Sequence, residues 1–231
     1  MGVYVFNYDV LERALREDQS DSHSAKDFGR NILPNLIDEG KNVYAYPYGG
    51  YWIDVGTLDA YWEAHMDLLE SPPSLNLNDR TWVIHTRSEE RPPVRMDSRA
   101  SISNSLIADG TVVADGAIVE RSVLSPGVYV GPGAVVRDSV ILNDTYIEAE
   151  ARVERCIIDK IAVIGHNATV GRITDAEDPG ITCIGKNSYV PPGFTVGRSC
   201  ILGTDLKREH FDAYPDKIVP DNTRLEYSLR K

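Results

Sequence analysis

The chain has 231 residues, 42% of them hydrophobic and 26% charged, with a formal charge of −11. That charge argues against nucleic acid or an anionic membrane surface as a partner. No apolar run approaches the roughly 20 residues of a membrane span and no signal peptide opens the chain, so a soluble cytoplasmic protein of one or two domains is expected.

The first 70 residues alternate strand and helix patterns. Val3-Tyr4-Val5-Phe6 reads as a buried strand, and Asp9 to Arg16 as a short helix with Val10, Leu11 and Leu15 on one side. A second helix is predicted from about Ala25, its apolar stripe made by Ile32, Leu33, Leu36 and Ile37, with Gly40 as its stop. Val43-Tyr44-Ala45-Tyr46 is a second strand pattern, followed by a Gly-flanked loop through Trp52, Asp54 and Gly56 and a helix from Leu58 to Leu69. Two strands and three helices are too few to close an ordinary α/β core. The segment therefore reads as an α/β fragment, over residues 1–70, joined by a linker at 71–100 to a second domain at 101–231.

That second domain repeats every seventeen residues. Val113, Val130, Ile147 and Ile164 recur on this period, as do Val119, Val136, Val153 and Val170, and Ile107, Leu124, Ile141 and Ile158. The rows lie six, six and five residues apart, so each unit is one coil of three short strands, the hexapeptide pattern of a left-handed parallel β-helix with one hexad shortened. A second inward position is expected four residues after each aliphatic, giving Ala117, Ala134, Ala151 and Ala168 on one row and Val123, Val140 and Ile157 on another. Turns such as Ser125-Pro126-Gly127 and Gly131-Pro132-Gly133 separate the strands.

The pattern breaks between Gly171 and Gly180 and resumes at Ile184, Val190 and Val196. The insertion, centred near Asp175, is predicted to be a loop at one corner and a place to look for an interface. Cys156, Cys183 and Cys200 have no CxxC spacing, and Cys156 falls on the row of Ser105, Ser122 and Ser139, a small ladder residue rather than a metal ligand or disulfide partner. His166 sits in a hexad turn and reads as an exposed corner. Lys207, Arg208, Arg198 and Arg224 form a basic set open to a phosphorylated effector or to plain solvation.

The motifs Met1-Gly2-Val3-Tyr4-Val5-Phe6, Asp27-Phe28-Gly29 with Ile32-Leu33-Pro34, and Tyr51-Trp52-Ile53-Asp54-Val55-Gly56-Thr57-Leu58-Asp59-Ala60-Tyr61-Trp62, followed by a hexapeptide β-helix, resemble glucose-1-phosphate adenylyltransferases. The resemblance covers essentially the whole chain. Family members open with a Rossmann-like nucleotide-binding half carrying a Gly-rich loop of the type GGGxGTRL, which has no counterpart in this sequence. The resemblance thus implies the end of the catalytic domain plus the complete C-terminal domain, and a chain that is inactive alone.

By the same resemblance, Asp54 would be the catalytic carboxylate that holds Mg²⁺, while Tyr4, Asp27, Phe28 and Trp52 would line the glucose-1-phosphate site. The substrates would be ATP and glucose-1-phosphate, the product ADP-glucose for glycogen biosynthesis, the assembly a homotetramer, and the control a metabolite effector. Each residue has a plain alternative. Asp54 or Thr57 serves equally to cap the helix starting at Leu58, Asp27 to cap its own helix, and Tyr4 and Phe28 to pack a core. Two other function classes remain open: a hexapeptide acyltransferase using His166 as base, and a non-catalytic regulatory or scaffold subunit.

Overall fold

The computed structural model describes residues 2–86, 89–172 and 180–226. Its Cα packing divides the chain into two compact units, Met1–Trp52 and Ile53–Lys231.

In the first unit a helix, α1, spans Tyr8–Ser20, and a single π-turn over Phe28–Ile32 leads into a short helix, α2, at Leu33–Asp38. Ala14, Ile32 and Leu36 form its small core, with Phe6, Val10 and Phe28 packed against them. Pro34 stands in the first turn of α2, where no backbone donor is needed. The segments Val3–Phe6 and Val43–Tyr46 carry no ladder among the described residues, contrary to the strands expected there. A strand exists only through its partners, and Val5, Tyr44 and Tyr46 are almost fully exposed.

The second unit is dominated by a parallel β-solenoid. Three parallel sheets of six, seven and seven strands run along it, each coil giving one short strand to each sheet. The register matches the seventeen-residue rows. Val113 pairs with Val130, Val130 with Ile147, and Ile147 with Ile164 on the first sheet, while Ile141 pairs with Ile158 and Ile158 with Ile184 on the third. All of these side chains are buried inside the solenoid in one continuous core. The first rung is already formed at Arg95–Met96, within the stretch read as linker.

The corners explain the composition of the repeat. Gly116, Gly133, Glu150, Asn167 and Gly193 occupy one corner with φ between +55° and +71°, a region glycine enters freely and asparagine tolerates. Another corner is lined inside by hydroxyls. The backbone N–H of Ser122 donates to Ser105 Oγ, that of Ser139 to Ser122 Oγ and that of Cys156 to Ser139 Oγ, each at 3.1 Å. The Ser139 hydroxyl in turn donates to the Arg137 carbonyl at 2.6 Å, so the ladder satisfies backbone groups that the turn leaves without strand partners.

This corner corrects one expected row. Val123, Val140 and Ile157 do not point inward; they lie on the outer surface of the third sheet, and Ser122, Ser139 and Cys156 take the inward position. The shortened hexad is the reason. With only five residues between Val119 and Leu124, the inward corner falls three residues after Val119 rather than four, and the two-residue strand period sends Val123 outward.

That outer surface is covered by a third helix, α3, at Leu58–Asp67. Trp62, Met66 and Leu69, one face of the helix and the residues just beyond it, bury against Val140, Ile157 and Ile181. At the C-terminal end of the solenoid Phe211, on a 3₁₀ turn at Arg208–Phe211, is buried edge-on against Phe194, with ring centroids 5.3 Å apart. It closes the apolar interior where the next coil would otherwise stack.

Candidate functional site

In the first unit, local hydrogen bonds set the Asp27-Phe28 corner. The Lys26 ammonium donates to the carbonyls of Asp18 and Asp21, drawing the loop back onto the end of α1, and Lys26 itself adopts φ +58°. Asp27 then caps the following turn, its Oδ1 accepting from the Arg30 N–H at 2.8 Å, while its carbonyl accepts from Asn31 and Ile32. The capping reading of Asp27 is therefore realised, and the carboxylate stays exposed to solvent.

Tyr4 and Phe28 come together. Their rings stack 5.5 Å apart at 16°, and Phe6 tilts against both at 6.3 and 5.9 Å. Phe28 also packs on the small core, whereas Tyr4 is 42% exposed. The trio is thus part core and part open aromatic surface, a combination suited to the apolar face of a ring-shaped ligand. Trp52 ends the first unit with half of its surface exposed.

In the second unit, Asp54 and Thr57 resolve their competition for the helix. Thr57 is the N-cap of α3, its Oγ1 accepting from the Ala60 N–H at 3.2 Å. Asp54 takes no part in the cap. Its carboxylate lies beside Gly56, is exposed, and accepts no hydrogen bond from any described residue. A carboxylate with all its lone pairs open, three residues ahead of a helix N-terminus, is a hard oxygen ligand in waiting. Among the described residues no group of three His, Cys, Asp or Glu gathers to hold a metal ion. The fit is therefore to a divalent cation of the magnesium type, which takes one or two carboxylates and completes its shell with water and phosphate oxygens.

The other candidates separate from this chemistry. His166 is exposed at a corner, its backbone N–H donating to the Glu148 carboxylate at 2.6 Å. Of the basic residues, Arg198 pairs with Asp221 at 3.1 Å and Arg224 with Glu226 at 2.7 Å, so two of the four charges are already matched by carboxylates. The insertion around Asp175 lies outside the described residues over 173–179. No helix among the described residues is long and apolar enough to cross a membrane.

The three cysteines are structural. Burial raises all three thiols: Cys156, fully enclosed, well above its ordinary value, Cys183 to about 11 with a smaller push from the Asp59 charge, and Cys200 by desolvation against the corner carbonyls. Since the thiolate is the reactive form, iodoacetamide at pH 7.5 is expected to leave the folded chain nearly unmodified and to label all three after denaturation. Rapid labelling of Cys156 in the native chain would contradict its place in the ladder.

Sequence reasoning missed Trp62 as a site residue. Its indole Nε1 donates to the carbonyl of Asp138 at 2.7 Å, and the guanidinium carbons of Arg155 and Arg121 sit 4.3 and 5.3 Å from its ring centroid. The only available signal was a tryptophan on the apolar stripe of the helix that follows Asp54, and helical spacing says nothing about which surface receives it.

Two family models match the chain: "Nucleotidyl transferase" over residues 1–71 and "GlmU-like, C-terminal hexapeptide" over 93–181. Among curated proteins, the glucose-1-phosphate adenylyltransferase of Thermomicrobium roseum is 45% identical over 229 residues, covering 95% of this chain and 52% of the relative. Those of Pseudothermotoga lettingae and Acetivibrio thermocellus are 38% and 36% identical, each covering 91% of this chain and 52% and 51% of the relative. The chain spans about half the length of these relatives. Over nearly all of its own length it is a homologue of the glucose-1-phosphate adenylyltransferases, a nucleotidyl-transferase segment followed by a hexapeptide solenoid.

Proposed function

We propose that this chain supplies part of the catalytic site, and the solenoid domain, of a glucose-1-phosphate adenylyltransferase that makes ADP-glucose and pyrophosphate from ATP and glucose-1-phosphate for glycogen synthesis in the cytoplasm. The observation that carries the reading is the carboxylate of Asp54, open and unused by the helix cap that Thr57 fulfils. A capping role would have consumed it; a ligand role requires it free.

In the reaction a phosphate oxygen of glucose-1-phosphate attacks the α-phosphorus of ATP. A new P–O bond forms, the bond from the α-phosphorus to the oxygen bridging to the β-phosphorus breaks, and pyrophosphate leaves with that electron pair. Mg²⁺, when bound, neutralises charge on the phosphates and keeps the leaving group in line. Asp54 would anchor the cation through its carboxylate. Tyr4, Phe28 and Trp52 would offer flat faces to the glucose ring, and Asp27 would accept a hydrogen bond from a sugar hydroxyl while still capping its turn. Assembly as a homotetramer and control by a metabolite effector belong to the same proposal, and flat solenoid faces suit such packing.

The test is pyrophosphate release by a chimera in which this chain replaces the matching part of the Thermomicrobium roseum relative. Turnover requiring both ATP and glucose-1-phosphate is expected, with none from the 231-residue chain alone. Asp54→Asn, which keeps the shape and removes the charge, is expected to lower kcat by about a hundredfold or more, the scale of losing a charge-stabilising group at a phosphoryl centre. A folded chimera that stays inert, or an Asp54→Asn variant with unchanged kcat, would overturn the assignment.

A further inference from the structure

We infer that Trp62 is a positioning residue for Asp54: the solenoid holds the ligand-bearing loop through a clamp on the Trp62 indole. This rests on the reading of Asp54 as a metal ligand.

The loop at Asp54 has little else to hold it. Asp54, Val55, Gly56, Thr57 and Leu58 are all exposed, and α3 begins immediately after them. Along the chain from Asp54, Trp62 is the first side chain to be buried, at 6% exposure. It is also the most N-terminal member of the docked face, followed by Met66 and Leu69 at helical spacing. Everything between the metal-ligand position and the solenoid therefore hangs on the first turn of α3, closed by the Ala60 N–H to Thr57 Oγ1 and the Tyr61 N–H to the Thr57 carbonyl.

The clamp comes from one corner row of the solenoid. Arg121, Asp138 and Arg155 stand seventeen residues apart, each in the left-handed region with φ of +46°, +46° and +52°. Asp138 accepts the indole N–H on its carbonyl and pairs its carboxylate with Arg121. Arg155 lies over the indole, and its Nε, fully buried, has no hydrogen-bond partner among the described residues. A buried guanidinium nitrogen left without an acceptor is costly, and the electron-rich ring face is what compensates it. Directional contacts of this kind fix the rotation of the helix about its axis, which apolar packing alone leaves loose, and the rotation of α3 sets where its leading loop points.

The test uses Trp62→Phe, which keeps an aromatic ring and loses the N–H donor, and Arg155→Met, which keeps the stem and loses the cation. Hydrogen exchange is followed in the 231-residue chain over the amides of 58–61, and the Mg²⁺ dependence of kcat in the chimera. Both variants are expected to exchange about tenfold faster there, with solenoid melting unchanged, and to need about fivefold more Mg²⁺ for half-maximal kcat at an unchanged KM for glucose-1-phosphate. Unchanged exchange, or faster exchange with an unmoved Mg²⁺ midpoint, overturns the inference. Asp54→Asn separates the two layers: a wild-type Mg²⁺ midpoint in that variant overturns the ligand assignment itself, independently of what the clamp variants do to exchange.

Discussion

Truncating Trp62 to alanine is expected to release α3 from the solenoid while leaving the coils folded. The change removes the largest side chain of the docked face, the hydrogen bond to the Asp138 carbonyl and the ring beneath the Arg155 guanidinium. Loss of a buried aromatic of this size costs about 3–5 kcal/mol, more than a ten-residue helix holds in isolation, since helices this short are marginal in water. The solenoid interior is a separate cluster and keeps its own ladders. Cys183, packed against the edge of the α3 contact, reports the release. Its thiol is held at about 11 mainly by burial, and freed of that burial it returns toward 9.0. Two units correspond to a roughly hundredfold rise in thiolate at neutral pH and a comparable gain in alkylation rate. Alkylation of Cys183 at the parental rate, with helix content intact, would show that α3 is held by something other than this contact.

Truncating Ile158 to alanine is expected to cost about 2–5 kcal/mol of global stability, read as the loss of sheet signal in urea. Ile158 is fully buried between Ile141 and Ile184 on the inner ladder. Each coil contacts only its neighbours, so a cavity at this level weakens the stack on both sides. The adjacent Ile157 provides the control. It is buried too, but on the outer face under α3, so Ile157→Ala is expected to loosen α3 and spare the coils. Equal effects of the two on the coils would contradict the opposed orientation of the pair.

Much of the solenoid was legible in the residues. The period of seventeen places like side chains in register, and a strand that stacks on a copy of itself needs no further instruction about its partner: Val113, Val130, Ile147 and Ile164 pair as their spacing implies. The site was legible less evenly. Asp27 and Thr57 as caps follow from residue type and local position, because a cap is made within three residues of chain. The stack of Tyr4 on Phe28 crosses twenty-four positions and is not written in either motif.

What the sequence by itself determined is whatever depends on local or strictly periodic contacts: the coil, its corner glycines and asparagines, the helix at Leu58 and the motif order that marks the family. The tertiary structure alone decided that Val123, Val140 and Ile157 face outward, that α3 covers them, and that Thr57 rather than Asp54 caps α3. The strand patterns at Val3–Phe6 and Val43–Tyr46 mark the same boundary from the other side, since a hydrophobic alternation proposes a strand but only a neighbouring backbone makes one. Trp62 is the clearest case. Its indole reaches a carbonyl seventy-six residues away, and a contact at that distance exists only once three coils have brought Arg121, Asp138 and Arg155 into one row.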